Sequence, residues 1–368
     1  MEAAPASLVV VAAALFGATV GSFLNVCIYR MPRRGMTISS PRRSHCPGCG
    51  FALPWHDNIP LWSWISLGGQ CRSCRAPISP RYLIVEALTA TAFVLLVRRY
   101  LLDGPPQPLV FGAVLLLVAG CIVASFIDQD LQFLPDEVTV RGMLAILPAA
   151  VLIPDLHLPA RGWVADGLAF LIPFLDRARA VLPAFLRDKW AVSAAAAALA
   201  AIPVCGWTYL SYWRWAHPKE PKGIAGGALA STIGCAVFGS AAAMISKPEL
   251  ALHPRIHSLW CALVGMAAGA GVILAVGAIG RQVFRKEAMG FGDVKLMGLL
   301  GGFAGWGGVL SGFALACILG SAVGIYRLIR HRSRYLPFGP YLVLGCLFTI
   351  LWPAAFTKML GWYMGLFR

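Results

Sequence analysis

Apolar residues along this 368-residue chain run in long stretches that short polar segments separate. A helix that crosses a bilayer needs about 20 consecutive apolar residues, and several stretches approach that length. Because lipid offers no hydrogen-bond partners, a spanning segment has to satisfy its own backbone groups, as a helix does. The pattern predicts an all-α polytopic membrane protein with about eight core spans. They are expected at 7–29, 82–101, 108–127, 138–153, 258–280, 294–306, 308–328 and 337–356.

Between the fourth and fifth spans lies a segment of different texture, residues 154–257. Its first part carries scattered charges, and two further apolar runs follow near 191–213 and 224–246. We interpret these runs as an inserted two-helix hairpin. Since a hairpin starts and ends on the same face of the membrane, it leaves the topology of the later spans unchanged.

Composition agrees with the membrane prediction: 58% of the residues are hydrophobic, 13% are charged, and the mean hydropathy is +0.72. The net charge of +15 is high, but 20 of the 31 lysines and arginines fall in short loops on one predicted face. By the positive-inside rule that face is cytoplasmic, and the loop 30–81 belongs to it. No basic groove with interleaved aromatic residues is present, so a nucleic-acid partner is not expected. The first apolar run lacks a preceding basic region and is expected to be a retained span.

Four cysteines form two Cys-x-x-Cys pairs, Cys46 with Cys49 and Cys71 with Cys74, separated by 21 residues. Two such pairs at this spacing are typical of a structural zinc site, because each tight turn presents two sulfurs to one tetrahedral ion. Two disulfides are the alternative. The predicted cytoplasmic position favours zinc, since thiols stay reduced there.

Two aspartates lie at the ends of apolar runs, where a carboxylate is energetically unfavourable and usually has a function. Asp128 closes the third span, and Asp293 precedes the sixth in Gly290-Phe291-Gly292-Asp293. In the predicted topology both lie at the cytoplasmic face. Two carboxylates that share a proton and a water molecule can hydrolyse a peptide bond, one as base and the other as acid. Gly290 and Gly292 lack side chains, so backbone or an extended substrate can approach the carboxylate.

Other acidic residues have simpler interpretations. Asp136 follows Pro135 and suits the first turn of the next helix. Asp130 is consistent with a solvated loop charge. Glu86 lies about one turn into the second span, where it either pairs with a loop arginine or shapes a substrate site. No HExxH, GxSxG or P-loop motif occurs, and no histidine falls inside a predicted span.

At this point the residues resemble a known family, the bacterial type IV prepilin peptidases, over 7–153 and 258–356. The hallmarks that carry the resemblance are Gly21-Ser22-Phe23-Leu24-Asn25-Val26, Cys46–Cys49, Asp57-Asn58-Ile59-Pro60, Ser63-Trp64, Cys71–Cys74, Ile78-Ser79-Pro80-Arg81-Tyr82, Glu86, Asp128, Pro135-Asp136, and Gly290-Phe291-Gly292-Asp293 with Lys295.

The resemblance implies an aspartyl endopeptidase of the inner membrane with Asp128 and Asp293 as its catalytic pair, supported by Gly290, Gly292, Lys295 and Glu86. Family members cut the short basic leader from prepilins and type II secretion pseudopilins on the cytoplasmic side. They then methylate the new N-terminus, typically phenylalanine, with S-adenosylmethionine. Contact with the pilus or secretion assembly machinery is also implied. The inserted segment is a departure from the usual family pattern.

The expected organisation follows from these interpretations: a first span (1–29), a small zinc-binding loop domain with the four cysteines, which the resemblance links to methyl transfer (30–81), a first peptidase part (82–153), the insertion (154–257) and a second peptidase part (258–368). Two rival hypotheses remain at this stage. One is a peptidase without methyltransferase activity. The other is a non-catalytic assembly or transport protein that uses Glu86, Asp128 and Asp293 for ions or packing.

Overall fold

The structure is a computed structural model that describes residues 5–33, 35–39, 44–160, 254–285, 289–331 and 336–353. These residues are mostly helical. The helices are α1 (Ala6–Arg30), α2 (Trp62–Ser66), α3 (Arg81–Val97), α4 (Pro108–Leu131), α5 (Asp136–Leu152), α6 (Pro254–Phe284), α7 (Phe291–His331) and α8 (Gly339–Leu351). Shorter turns are a 3₁₀ turn at Trp55–Asn58, a π-helical turn at Arg98–Leu102 and a 3₁₀ turn at Pro154–Ala160. Within these ranges there is no β-strand, so the predicted helical class is confirmed. The two runs of the predicted hairpin lie outside the described residues.

Four segments are long and apolar enough to cross a membrane: α1, α4, residues His257–Val283 of α6 and residues Phe291–Arg330 of α7. Large apolar side chains on these helices point outwards, as in Leu15 (67% exposed), Leu116 (75%) and Ile329 (79%). Exposed apolar surface of this extent is typical of helices that face lipid. The chain is therefore a membrane protein, and the number of eight core spans stays a prediction.

The described residues divide into two compact units, Met1–Val138 and Thr139–Arg368. In the first unit, α1 packs directly against α3. A Cβ atom at Gly21 would lie 2.7 Å from the Cα of Glu86, closer than folded proteins allow. Glycine at this position thus lets the backbone of α1 approach the carboxylate-bearing turn of α3.

In the second unit, α6 and α7 pack even more closely. A Cβ atom at Gly265 of α6 would overlap the carbonyl oxygen of Gly301 on α7, and one at Gly301 would overlap the carbonyl of Gly265. Small residues at helix crossings in membranes allow this approach, because packing contacts drive association there. The glycine contacts explain how these largely apolar helices hold a fixed arrangement.

Helix α7 contains a kink where the sequence predicts two separate spans, 294–306 and 308–328. Gly305 adopts φ 70° and ψ 173°, so α7 consists of two helical segments that meet at this residue, in agreement with the two predicted runs. His157, in the 3₁₀ turn after α5, contacts this region: its Nε2 lies 2.8 Å from the carbonyl oxygen of Gly302, and its Nδ1 lies 2.8 Å from Oγ of Ser258. A carbonyl only accepts, so Nε2–H donates to it and Nδ1 accepts from the Ser258 hydroxyl. The buried ring therefore fastens α6 to the kinked part of α7, and its role is structural.

Candidate functional site

The loop between α1 and α3 is built from two matching turns, one for each cysteine pair. The N–H of Cys46 donates to the carbonyl of Phe51 and the N–H of Cys71 donates to that of Ala76, both at 2.9 Å. Each turn is closed by an antiparallel bridge one residue further out, His45 with Ala52 and Gln70 with Pro77. The loop thus presents two cysteine pairs in the same local geometry.

Each turn also needs one residue with left-handed backbone geometry, four positions after its first cysteine. In the first turn this residue is Gly50, with φ 72°, which glycine adopts without strain. In the second turn it is Arg75, with φ 59°. A side chain in this conformation costs about 1–2 kcal/mol, so the second turn is the more strained of the two.

The four sulfurs come together: the Sγ atoms of Cys46, Cys49, Cys71 and Cys74 all lie within 4.8 Å of one another. The Cys46 and Cys74 sulfurs are 3.8 Å apart, and a tetrahedral ion with metal–sulfur bonds of about 2.3 Å requires about that separation. None of the four is in a disulfide. The N–H groups of Cys74 and Ser73 donate to Cys71 and lower the pKa of its thiol to about 7. The N–H of Ala76 lowers the pKa of Cys74, but the neighbouring Cys49 thiol, burial and the other sulfurs outweigh it and raise that pKa to about 11. The site fits a structural metal ion with four thiolate ligands.

An ion pair extends from the second cysteine turn into the loop. Arg72 donates from Nε and Nη2 to the two carboxylate oxygens of Asp57, at 2.8 and 2.6 Å. The Asp57 side chain is 2% exposed, whereas that of Arg72 is about half-exposed. These hydrogen bonds hold the pKa of Asp57 below its usual range. Because Arg72 lies between two cysteines, the position of the buried carboxylate depends on the geometry of the cysteine cluster.

Glu86, on the second turn of α3, is also buried, at 7% exposed. Its Oε2 accepts a 2.7 Å hydrogen bond from the N–H of Leu61, and Ser22 of α1 lies beside the carboxyl group. Leu61 has φ 64°, an unfavourable conformation for a leucine that this hydrogen bond helps to hold. Among the described residues, no lysine, arginine or histidine forms an ion pair with Glu86. Its partners are neutral donors.

Asp57, Arg72 and Glu86 line one cavity of about 360 Å³, enclosed by α1, α3 and the cysteine loop. Aromatic rings of Tyr29 and Trp64 contribute to its walls. This volume lies in the range of small-molecule sites, which combine apolar walls with a few fixed polar groups. The cavity belongs entirely to the first unit.

Asp128 lies in the last turn of α4, with 7% of its surface exposed. The helix ends because Gln132 adopts left-handed geometry, with φ 54°, and donates its N–H to the carbonyl of Asp128 at 2.9 Å. Asp130, two residues on, forms an ion pair with Arg81 at the start of α3. The structure therefore assigns Asp130 a partner on α3, where the sequence predicts a solvated loop charge.

Asp293 lies in the first turn of α7, in the second unit. A carboxylate is stabilised there by the partial positive charge of the helix N-terminus. The N–H of Asp293 donates to the carbonyl of Gly290 at 3.2 Å, and a Cβ atom at Gly290 would lie 3.6 Å from Oδ2 of Asp293. Gly292 is the second helical residue, and Nζ of Lys295 lies 5.0 Å from the ring centre of Phe291.

The sequence predicted the aspartates, the cysteines and Glu86 as site residues. It did not predict the Asp57–Arg72 pair or the cavity. A usable signal was present, because Arg72 is the only charged residue inside either cysteine pair. What it contacts depends on the tertiary fold of the loop, which spacing does not reveal.

These residues define a helical membrane protein that combines a cluster of four cysteines with buried and half-buried carboxylates at helix ends. Residues 115–325 match the model of the Type IV leader peptidase family, and residues 15–100 match the Bacterial Peptidase A24 N-terminal domain. The chain belongs to the Type IV leader peptidase family. The resemblance seen in the sequence is thereby confirmed.

Individual relatives agree. A "Prepilin leader peptidase/N-methyltransferase" of Aeromonas hydrophila is 27% identical over 95% of this chain and 92% of its own length. One of the same name from Myxococcus xanthus is 47% identical, over 36% of this chain and 37% of its own length. A "Type 4 prepilin-like proteins leader peptide-processing enzyme" of Escherichia coli is 41% identical, over 38% of this chain and 55% of its own length. The last two alignments thus span a third to about half of those relatives. No solved structure matches the chain.

Proposed function

We propose that this protein is a prepilin leader peptidase/N-methyltransferase: it removes the leader from prepilins and methylates the new N-terminus. One observation carries the proposal. The family match over 115–325 includes both Asp128 and Asp293, and the N-terminal match over 15–100 includes all four cysteines and Glu86. Full-length similarity to relatives that are named for both activities supports it.

For cleavage, Asp128 and Asp293 act as the catalytic pair. One carboxylate takes a proton from water as the water oxygen attacks the scissile carbonyl, and the protonated partner donates to the carbonyl oxygen. Breakdown of the resulting tetrahedral species breaks the C–N bond, and the leaving nitrogen takes a proton. The absence of side chains at Gly290 and Gly292 leaves room for an extended substrate beside Asp293, and Lys295 supports the same turn.

For methyl transfer, S-adenosylmethionine is the donor and the amine of the cut pilin is the acceptor. Cys46, Cys49, Cys71 and Cys74 would hold a Zn²⁺ ion, whose contribution is to fix the loop. The 3.8 Å separation of two sulfurs and the position of all four within 4.8 Å of one another support this assignment.

The enzyme resides in the inner membrane with its cysteine loop and both aspartates on the cytoplasmic side. The concentration of lysine and arginine in the loops of that face supports this orientation. Prepilins and pseudopilins, with basic leaders, are the substrates, and the lipid bilayer is the environment in which both partners meet.

The experiment is co-expression of the protein with a prepilin from the same genome, followed by intact mass measurement of the pilin. The wild type removes the leader and adds about 14 Da, the increment of one methyl group. Asp128→Asn and Asp293→Asn each abolish leader removal. Asp103→Asn is the matched control, since Asp103 is exposed and forms a surface ion pair with Arg98. Full cleavage by either catalytic variant would refute the assignment of the pair.

A further inference from the structure

The cavity of the first unit has no role in peptide cleavage as described above, yet its walls combine fixed charges with aromatic rings. It is enclosed on one side by α1 and α3 and on the other by the cysteine loop. We propose that this cavity binds the methyl donor, and that Glu86 receives the amine of the cut pilin at its edge. This inference rests on the proposed function and assigns the methyl transfer step to particular residues.

Size and wall chemistry fit a nucleoside-bearing ligand. The cavity measures about 360 Å³, and Trp64 and Tyr29 are among the residues that line it. The guanidinium of Arg33 lies over the Tyr29 ring, 3.8 Å from its centre, so the stacking of a base is assigned to Trp64. Aromatic faces bind planar bases by stacking and attract cations through their ring electrons. S-adenosylmethionine offers both features, a purine base and a positively charged sulfonium.

Two arginines and two carboxylates line the cavity, Arg30, Arg72, Asp57 and Glu86, and their pairing decides where a cationic group can bind. Arg30 donates to the carbonyl of Ile38 at 2.9 Å. The carboxylate of Asp57 is neutralised by Arg72, which donates to both of its oxygens. The carboxylate of Glu86 is satisfied by neutral donors, the N–H of Leu61 and the neighbouring Ser22. A positively charged ligand group beside such a carboxyl group favours its ionised form and is attracted to it. The ammonium group of a pilin N-terminus supplies such a charge.

Glu86 is also held rigidly, as a group that handles a proton has to be. Its oxygen helps to hold Leu61 at φ 64° and ψ −49°, a strained γ-turn conformation, and strain of this kind is concentrated at functional sites. Gly21 allows α1 to lie directly against the Cα of Glu86, so the backbone that carries this side chain is closely packed. The geometry is set before any ligand binds.

The reaction balances with these groups. The ammonium of the cut pilin first loses a proton to Glu86 or to water, which leaves the amine lone pair free. The nitrogen then bonds to the methyl carbon while the carbon–sulfur bond breaks, and the electron pair of that bond stays on sulfur as a neutral thioether. The methylated nitrogen carries the positive charge until it gives up a second proton.

The first test measures ligand binding rather than turnover. Purified full-length protein in detergent is titrated with S-adenosylhomocysteine, the unreactive product, and binding is followed by calorimetry. We expect Trp64→Ala to weaken binding at least tenfold. Trp62→Ala is the matched control, because Trp62 lies two residues away, is 64% exposed and does not line the cavity. It should change the affinity by less than twofold.

Folding of the variants is checked by their metal content, because cysteines of the cluster form part of the cavity wall. Should Trp64→Ala lose the metal, Phe51→Ala replaces it, since Phe51 lines the cavity and is 38% exposed, so its truncation leaves the buried part of the loop intact. Equal affinity in the wild type and in a metal-loaded cavity variant would overturn the proposal.

The second test addresses Glu86 with a peptide that begins with phenylalanine, which needs no cleavage. We expect Glu86→Gln to slow methyl transfer at least tenfold, and to raise the KM for the peptide more than the dissociation constant of S-adenosylhomocysteine. Asp103→Asn, an exposed carboxylate, serves as control. If Glu86→Gln has the KM of the wild type for the peptide, the proposal that Glu86 binds the pilin amine is wrong.

Failure of this inference and failure of the proposed function give different results. In one outcome, the wild type cuts and methylates a prepilin, and Trp64→Ala and Phe51→Ala bind S-adenosylhomocysteine with normal affinity. The donor site then lies elsewhere in the protein. A wild-type protein that cuts but binds no S-adenosylhomocysteine has no donor site. A wild-type protein that neither cuts nor methylates lacks the proposed function itself.

Discussion

The two compact units differ in what holds their elements in place. In the first, polar contacts stabilise a loop with little regular structure against α1 and α3. These contacts are the cysteine turns, the Asp57–Arg72 pair and the hydrogen bond of Glu86. In the second, α6 and α7 touch backbone to backbone at Gly265 and Gly301, with the buried His157 as a polar fastening. A loop outside the membrane can be stabilised by ligands and charges, whereas helices in lipid depend on close packing.

The largest expected effect is on the first unit and comes from removing one cysteine of the candidate metal site. Cys46→Ser removes one of four thiolates, and structural zinc commonly contributes about 10 kcal/mol or more to the folding of a small loop domain. We expect nearly complete loss of bound metal and of methyl transfer. Metal analysis of the purified protein, together with proteolysis of the loop, measures the effect. Cys27→Ser is the control, because Cys27 is a buried cysteine of α1 outside the cluster. If Cys46→Ser retains a full equivalent of metal, the four-thiolate site is wrong.

In the second unit the largest effect comes from adding a side chain at the helix crossing. Gly265→Val forces α6 away from the carbonyl of Gly301, and overpacking of this kind costs about 3 kcal/mol or more. We expect a sharp fall in the yield and in the unfolding temperature of the detergent-solubilised protein. Gly271→Val on the same helix is the control, since a Cβ atom there meets open space. Similar stability of the two variants would contradict the close crossing.

A smaller effect is expected from the ion pair of the first unit. Arg72→Gln removes the guanidinium that bonds both oxygens of the buried Asp57 carboxylate and leaves the ring of His56, 3.7 Å away, as a basic neighbour. Amide exchange in 55–72 should accelerate roughly tenfold. The pKa of Asp57 is lowered in the folded protein, so its contribution is present above the unfolded pKa of about 3.9 and is lost as pH falls through the folded value. The difference in exchange between Arg72→Gln and the wild type should therefore shrink in that acidic range. A difference that grows towards low pH would contradict the pairing.

The smallest effect sharpens the comparison between the two cysteine turns. Gly50→Ala places a side chain at φ 72° and should destabilise the loop by about 1 kcal/mol. Arg75→Gly relieves the same conformation in the second turn and should stabilise the loop by a similar amount or less. The temperature at which metal is released, measured for both variants, gives the two values. Changes of equal sign would show that the two turns are not equivalent.

Features that depend on consecutive residues could be predicted from the sequence, whereas features that depend on tertiary contacts could not. The apolar runs predicted α1 and α4 to within a few residues of their ends, because a spanning helix is one continuous apolar segment. The cysteine cluster followed from spacing for the same reason. The division of α7 into two helical segments also followed, because the predicted runs 294–306 and 308–328 meet close to Gly305. The partner of Asp57 did not follow, because the fold of the loop decides which arginine reaches it.

The matching cysteine turns have a consequence for the chain as a polymer. A metal ion bound by all four sulfurs joins Cys49 to Cys71 and so closes a segment of 21 intervening residues into a ring. Closing a ring of this size lowers the conformational entropy of the unfolded chain and so stabilises the folded loop by about 3 kcal/mol, much as a disulfide does. Unlike a disulfide, this closure forms under reducing conditions and requires no oxidant. Its stability therefore varies with the concentration of free metal. The walls of the cavity would be most rigid where metal is plentiful, while the glycine-packed helices of the second unit would respond to metal supply very little.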